Sequence, residues 1–169
     1  MAVDPKQFRQ ALGCYASGVT VVTAVDPVSG GDLGLTATAF CSVSLDPSLV
    51  LVCVAKGKDS WAVFSTAAGF VVNMLGDDQK DLSNRFAGVF PPGQDRFADI
   101  HFTRGDSSGA AKLASAICTL DCRRHSAFDG GDHTIFVGEV MEVEVRGVRD
   151  QLRPLLYFAG QYRSIGDTP

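Results

Sequence analysis

The chain is 169 residues long, 46% apolar and 20% charged, with a net charge of −4. That length fits one domain spanning 1–169 with one core, the composition excludes an intrinsically disordered chain, and an acidic balance without a Lys/Arg tract argues against nucleic-acid binding. No apolar run approaches the ~18 residues of a transmembrane helix, and the start MAVDPKQF lacks the basic and apolar regions of a signal peptide, so no membrane association and a cytoplasmic location are expected.

In chain order, Asp4 as a cap and Pro5 at the first helical position predict an opening helix, with Phe8, Leu12 and Tyr15 on one face and Gly18 as its stop. This helix is expected to plug one end of a sheet. Val19 to Val25 reads as a buried strand, and the turn formers from Asp26 to Asp32 return it as a hairpin into a strand from Gly34 to Phe40. The Gly30, Gly31 and Gly34 cluster lacks the spacing and the following helix of a dinucleotide fingerprint. After a turn at Asp46-Pro47 comes the apolar run Leu49 to Val54, then a short helix from Ser60 through Trp61 and Phe64, then a strand from Phe70 to Leu75. Asp77 or Asp78 is expected to cap a helix through Leu82 toward Phe86, followed by a mobile loop from Ala87 to Ala98. Ile117 to Arg123 alternates, with Cys118, Leu120 and Cys122 inward and Thr119, Asp121 and Arg123 outward. Ser126 to Asp132 reads as a turn, Thr134 to Arg146 as a long strand, and Pro154 to Phe158 as a last short one. The pattern predicts a mainly β fold, a six- to seven-stranded antiparallel Greek-key barrel with a few short helices, over alternating βαβ units.

The stretch from Gly34 to Trp61 carries the chemistry. On a strand, Thr36 and Thr38 project to one face while Ala37 and Ala39 leave the other bare, so a flat ligand can approach the backbone. Downstream, Lys56 and Lys58 supply cationic donors, and Ser60 stands where a helix start would favour an anion. Hydroxyls, ammonium groups and a helix start suit a phosphate-bearing cofactor; the same residues also fit a half-exposed hairpin with a Thr-rich face. Arg85, near the end of its helix, either reaches a phosphate bidentately or complements the helix dipole at the surface. His133 is a lone histidine after a Gly-Gly-Asp turn, and its place fits either a functional or a solvated side chain.

The five cysteines, Cys14, Cys41, Cys53, Cys118 and Cys122, are odd in number and contain no CxxC pair. Cys118 and Cys122 read as small core hydrophobes in a reducing compartment, and the spacing speaks against a metal site.

Taken together, Gly18 to Thr23 (GVTVVT), Gly34 to Ser44 with Leu45 to Cys53 (LDPSLVLVC), Lys58 to Trp61 (KDSW), Arg85-Phe86, Gly131-Asp132-His133 and Arg153 to Tyr157 (RPLLY) resemble the short-chain flavin reductases. These are the small reductase components of two-component flavin-dependent monooxygenases, and the resemblance runs from about Phe8 to Arg163. It implies a split-barrel flavin-binding fold and an NAD(P)H:flavin oxidoreductase that takes hydride from NADH or NADPH to FMN or FAD and passes reduced flavin to an oxygenase component. It further implies a homodimer, with the flavin at the two-fold interface. Carried over, Leu35, Thr36, Ala37, Thr38 and Ala39 would line the flavin, and Cys53, Val54, Ala55 and Lys56 would run past its ring and ribityl chain. Lys58, Ser60 and Arg85 would surround the phosphate, with Phe86 beside them. His133 would meet the nicotinamide, and Tyr157 and Tyr162 would stack on or close over the dinucleotide, or else pack at the barrel rim. Family members often carry serine where this chain has Ala39, which removes one hydroxyl contact. Such chemistry asks the protein for ring stacking and water exclusion, so a Ser-His-Asp set or a carboxylate pair is not required. A flavoprotein that retains FMN and reduces another acceptor, and a non-catalytic flavin-binding module, are the alternative readings.

Overall fold

In the computed structural model, which describes residues 3–88, 91 and 93–166, Asp4 caps the first helix. Its Oδ2 accepts the Gln7 amide at 3.0 Å, and Pro5 takes the first helical position. This helix, α1, runs only over Pro5–Leu12. Two turns are too short to carry the apolar stripe on to Tyr15, and the helix does not plug the sheet: Phe8, Leu12 and Tyr15 are 55%, 56% and 77% exposed.

A seven-stranded antiparallel sheet dominates the fold. Its strands are β2 (Thr20–Val25), β3 (Asp32–Ala37), β4 (Phe40–Leu45), β5 (Ser48–Ala55), β6 (Gly69–Met74), β9 (Cys118–Gly130) and β10 (His133–Val145), in the order β3-β2-β6-β9-β10-β5-β4. The two outer strands, β3 and β4, are consecutive in the chain and joined only by Thr38 and Ala39. Two small sheets flank this one: β1 (Ser17–Gly18) with β11 (Leu156–Phe158) and β12 (Gln161–Arg163), and β7 (Phe102–Arg104) with β8 (Ala111–Leu113). Helices α2 (Asp59–Thr66) and α3 (Lys80–Phe86) sit between strands; α3 starts after Gln79, later than a cap at Asp77 or Asp78 would place it. Of the loop expected from Ala87 to Ala98, Val89, Phe90 and Pro92 lie outside the described residues.

The central strands of the sheet, β2 and β6, are buried on both faces. One face packs Val22, Val52, Val54, Phe64, Phe70, Cys122 and Phe136, and the other packs Val19, Val21, Leu75, Phe86, Leu113 and Leu155. Burying one such Phe or Leu contributes about 1.5–3 kcal/mol. The second core overturns the outward placement of Thr119 and Asp121, each only 1% exposed. Asp121 is stabilised there by the Ser107 amide at 2.8 Å and the Ser108 hydroxyl at 2.5 Å. Asn73, fully buried, ties three elements together: its Nδ2 donates to the Val21 carbonyl at 3.0 Å, and its Oδ1 accepts the Leu113 amide at 2.7 Å.

The segment from Ser126 to Asp132 is not a wide turn. Strand pairing continues to Gly130 opposite His133, so only Gly131 and Asp132 form the loop. Gly131 has φ of +78° at the first loop position, which is where a II′ hairpin requires glycine. A bulge at Met141 lets Val140 pack on the core while Met141, Val143 and Val145 remain 46%, 58% and 53% exposed.

Candidate functional site

The chain from Asp32 to Ser60 builds most of one cavity of about 850 Å3. One wall is β3, from Asp32 to Thr36. A second is Ala55 with the start of α2, Lys58, Asp59 and Ser60. The third is the end of α3, Phe86 to Gly88, together with Gln94 to Phe97. Gly34 admits this third wall: a Cβ at that position would lie 2.5 Å from Cε1 of Phe86. The Phe86 ring meets Phe97 edge-on at 5.1 Å between centroids, so the loop after α3 is carried by aromatic packing.

The cavity lining combines charged and apolar residues. Lys58 is the N-cap residue of α2 and makes no side-chain capping bond, so the first turn of the helix presents its amides without a side-chain acceptor. Lys58 and Arg96 are the cations on the walls; Asp32, Asp59 and Asp95 are the carboxylates. Asp32 is paired with Arg104, whose guanidinium is pushed above its ordinary value by the hydrogen bond to that carboxylate. Leu33, Leu35, Phe86 and Phe97 supply the apolar surface.

Of the residues expected to meet a cofactor, Leu35, Thr36, Ala55, Lys58, Ser60 and Phe86 border this cavity. The others stand elsewhere. Ala37 is 8% exposed and packed in the core, not on a bare face, and Val54 likewise points into the core at 2%. The Thr36 hydroxyl donates to the Ser83 carbonyl at 2.6 Å and so fastens β3 to α3. Thr38 is past the end of β3 and lines a separate cavity of about 250 Å3 with Tyr15, Phe40, Met74 and Leu155. The two threonines therefore part company because the strand ends between them. Ala39 is exposed, and its carbonyl accepts the Cys53 amide at 3.1 Å. Cys53 is half-buried, and desolvation pushes its thiol up from its ordinary value. Arg85 sits on α3 beside Phe86, half-buried, and does not line this cavity. The Tyr162 hydroxyl lies 2.9 Å from the Ser83 hydroxyl and donates to Asn84 Oδ1 at 3.0 Å, while its ring meets Tyr157 edge-on at 5.4 Å. Tyr162 thus braces α3, and Tyr157 packs against its ring.

Lys56 is bound to the β9–β10 hairpin, through the Asp129 carboxylate and the Gly131 carbonyl. His133 pairs across the ladder with Ala55, so its side chain projects from the same face as a cavity-wall residue. Nδ1 of His133 lies 2.7 Å from Oδ1 of its sequence neighbour Asp132. The hydrogen bond to His133 holds the Asp132 carboxyl below its ordinary value. Gln94, Arg96 and Phe97 had no signal in the sequence: their place depends on Phe97 packing against Phe86 across the loop.

A sequence model of the family described as "Flavin reductase like domain" matches residues 12–166. The chain is 37% identical over 164 residues to the reductase subunit of a flavin-dependent monooxygenase of Rhodococcus jostii, across 97% of this chain and 80% of that protein. It is 39% identical over 159 residues to the stachydrine N-demethylase reductase subunit of Rhizobium meliloti, across 94% of this chain and 65% of that protein. Among solved structures, the NADH:FAD oxidoreductase of Streptomyces globisporus superposes with a TM-score of 0.87 at 36% identity, over 98% of each chain.

Proposed function

Because this chain belongs to the flavin reductase-like family, we propose that it takes hydride from a reduced nicotinamide to FMN or FAD and supplies reduced flavin to a partner oxygenase. The observation that carries this reading is the cavity of about 850 Å3, which gathers Thr36, Lys58 and Ser60 with Leu35 and Phe86 and has His133 on the adjoining ladder position. The volume lies within the range of small-molecule ligand sites, and Lys58, Ser60 and the first-turn amides of α2 suit a flavin phosphate, with its ring against Leu35, Phe86 and Phe97. The bound flavin supplies the hydride-accepting ring. Lys58 and the first turn of α2 hold its phosphate, with Arg96 as a second cation on the wall. Leu35, Phe86 and Phe97 exclude water from the ring. Asp132 orients His133 through Nδ1, so the other ring nitrogen serves the nicotinamide carboxamide. NADH is the expected donor, as for the similar proteins named NADH-dependent FAD reductase and FMN reductase (NADH).

The single domain folds its sheet round into a split barrel; the two-residue link between the outer strands β3 and β4 and the Ala39 to Cys53 hydrogen bond support this. It works as a homodimer: Val43, Leu45 and Phe128 are 50%, 94% and 58% exposed, and a second copy would cover such residues. The cytoplasm is its expected compartment, in keeping with five free cysteines.

Purified protein mixed with NADH and free FMN or FAD is expected to bleach the nicotinamide absorbance band; no turnover with either flavin would sink the reductase reading. Lys58→Ala should weaken flavin binding about tenfold, measured by flavin fluorescence quenching. Unchanged affinity removes Lys58 from the phosphate site. Light scattering should give twice the monomer mass, and a fully active monomer would overturn the dimer.

A further inference from the structure

Lys56 follows Ala55 directly at the end of β5, and both its side chain and its main chain are engaged by the β9–β10 hairpin. Its ammonium pairs with the Asp129 carboxylate and donates to the Gly131 carbonyl at 2.6 Å, and its own amide donates to the Asp132 carbonyl at 2.9 Å. Beyond the ladder pairing of His133 with Ala55 and with Gly130, the hairpin tip has few side-chain contacts to hold it. Gly130 and Gly131 bring no side chains, and the Asp129 and Asp132 side chains are 78% and 92% exposed. One further tie lies at its base, where Trp61 Nε1 donates to the Thr134 hydroxyl at 2.9 Å. His133 is therefore held between the Trp61 bond on one side and the Lys56 bonds on the other.

We propose that Lys56 is a positioning residue for the nicotinamide half of the reaction: it pins the glycine-rich tip so that the His133 imidazole stays beside Ala55 and the cavity. The proposal rests on the reading that His133 serves the nicotinamide. A single exposed ion pair contributes little to folding, so the effect belongs to the order of the tip and not to global stability. Here two side-chain bonds act together on a segment with no packing of its own, and small displacements of a group that orients substrate are costly in rate. The Asp129 carboxyl, held below its ordinary value chiefly by the hydrogen bond from Lys56, reports the same engagement.

The test compares Lys56→Met, Lys56→Arg, Asp129→Asn and His133→Ala in steady-state NADH oxidation, with flavin affinity measured separately by fluorescence quenching. Lys56→Met should raise KM for NADH about five- to tenfold, the scale of one or two lost hydrogen bonds, with flavin affinity within about twofold of wild type. Lys56→Arg should restore most of the loss, because the longer cation still reaches both oxygens. Asp129→Asn should show a smaller rise of the same kind, and the double variant should be no worse than Lys56→Met alone. Amide hydrogen exchange at the tip should accelerate in Lys56→Met with protection elsewhere in β9 and β10 retained. If His133→Ala raises KM while Lys56→Met and Asp129→Asn leave it unchanged, the positioning role is wrong and the His133 reading survives. A loss of flavin affinity in Lys56→Met, with KM for NADH unchanged, would make Lys56 a flavin contact instead. If His133→Ala itself leaves KM unchanged, the reading of His133 falls and Lys56 has nothing to position.

Discussion

Gly34 shows how one residue without a side chain shapes the site. Its position on β3 lets an edge of the Phe86 ring come close against the strand, and that ring carries Phe97 and the loop that closes the cavity. A Cβ there would fall 2.5 Å and 2.6 Å from two ring carbons. Gly34→Ala should therefore cost about 1–3 kcal/mol by overpacking and should weaken flavin binding by displacing Phe86. A thermal scan read beside a flavin titration checks it, and a melting temperature equal to wild type would show that the ring yields freely. In the sequence this glycine is indistinguishable from those of the preceding turn, because its requirement comes from a helix some fifty positions later. Thr36 and Thr38 are the converse case. Alternation placed them on one face, yet the strand ends at Ala37 and they line different cavities.

At the scale of elements, the central strands β2 and β6 are buried on both faces, and their cohesion is polar as well as apolar. Asn73 on β6 donates to the Val21 carbonyl on β2 and accepts the Leu113 amide on β8. Asn73→Ala leaves those buried main-chain groups unpaired, at about 2–4 kcal/mol. Urea denaturation should show a lower midpoint with an unchanged slope; a midpoint within error of wild type would mean that water replaces the amide. The ends of the elements follow local chemistry: Asp4 and Pro5 begin α1, and Gly131 sets the hairpin. Strands β7 and β8 leave no signal in the sequence because their three-residue runs carry too few side chains for a period to emerge. Their existence depends on pairing across the loop from Gly105 to Ala110.

The whole molecule titrates through its core. Burial, with the nearby Asp121 carboxylate as a lesser cause, pushes the Cys122 thiol from 9.0 up to about 12. Above pH 9 the unfolded chain loses this proton while the folded chain keeps it, so the unfolded state binds fewer protons and stability falls as pH rises. The contribution is intact below pH 9 and is lost progressively from there toward pH 12. By pH 10 the effect is about 1 kcal/mol, a few degrees in a chain of this size. Melting temperatures of wild type and Cys122→Val should therefore converge or cross between pH 8 and pH 10, as about 1 kcal/mol of penalty affects only wild type; a constant difference would show that the thiol does not titrate this way.

The sequence by itself determined the secondary-structure grammar, the family and the position of the polar segment from Lys58 to Ser60, because caps, turns, alternation and motif order are local and survive in one dimension. Only the tertiary structure decided which of the expected groups share a cavity. Lys56 goes to the hairpin, Ala37 and Val54 go to the core, and Arg96 and Phe97 join the wall. Those assignments depend on where a strand stops and on which residue lies opposite across a sheet or a loop. Such facts are set by contacts between segments far apart in the chain, which no spacing along it records.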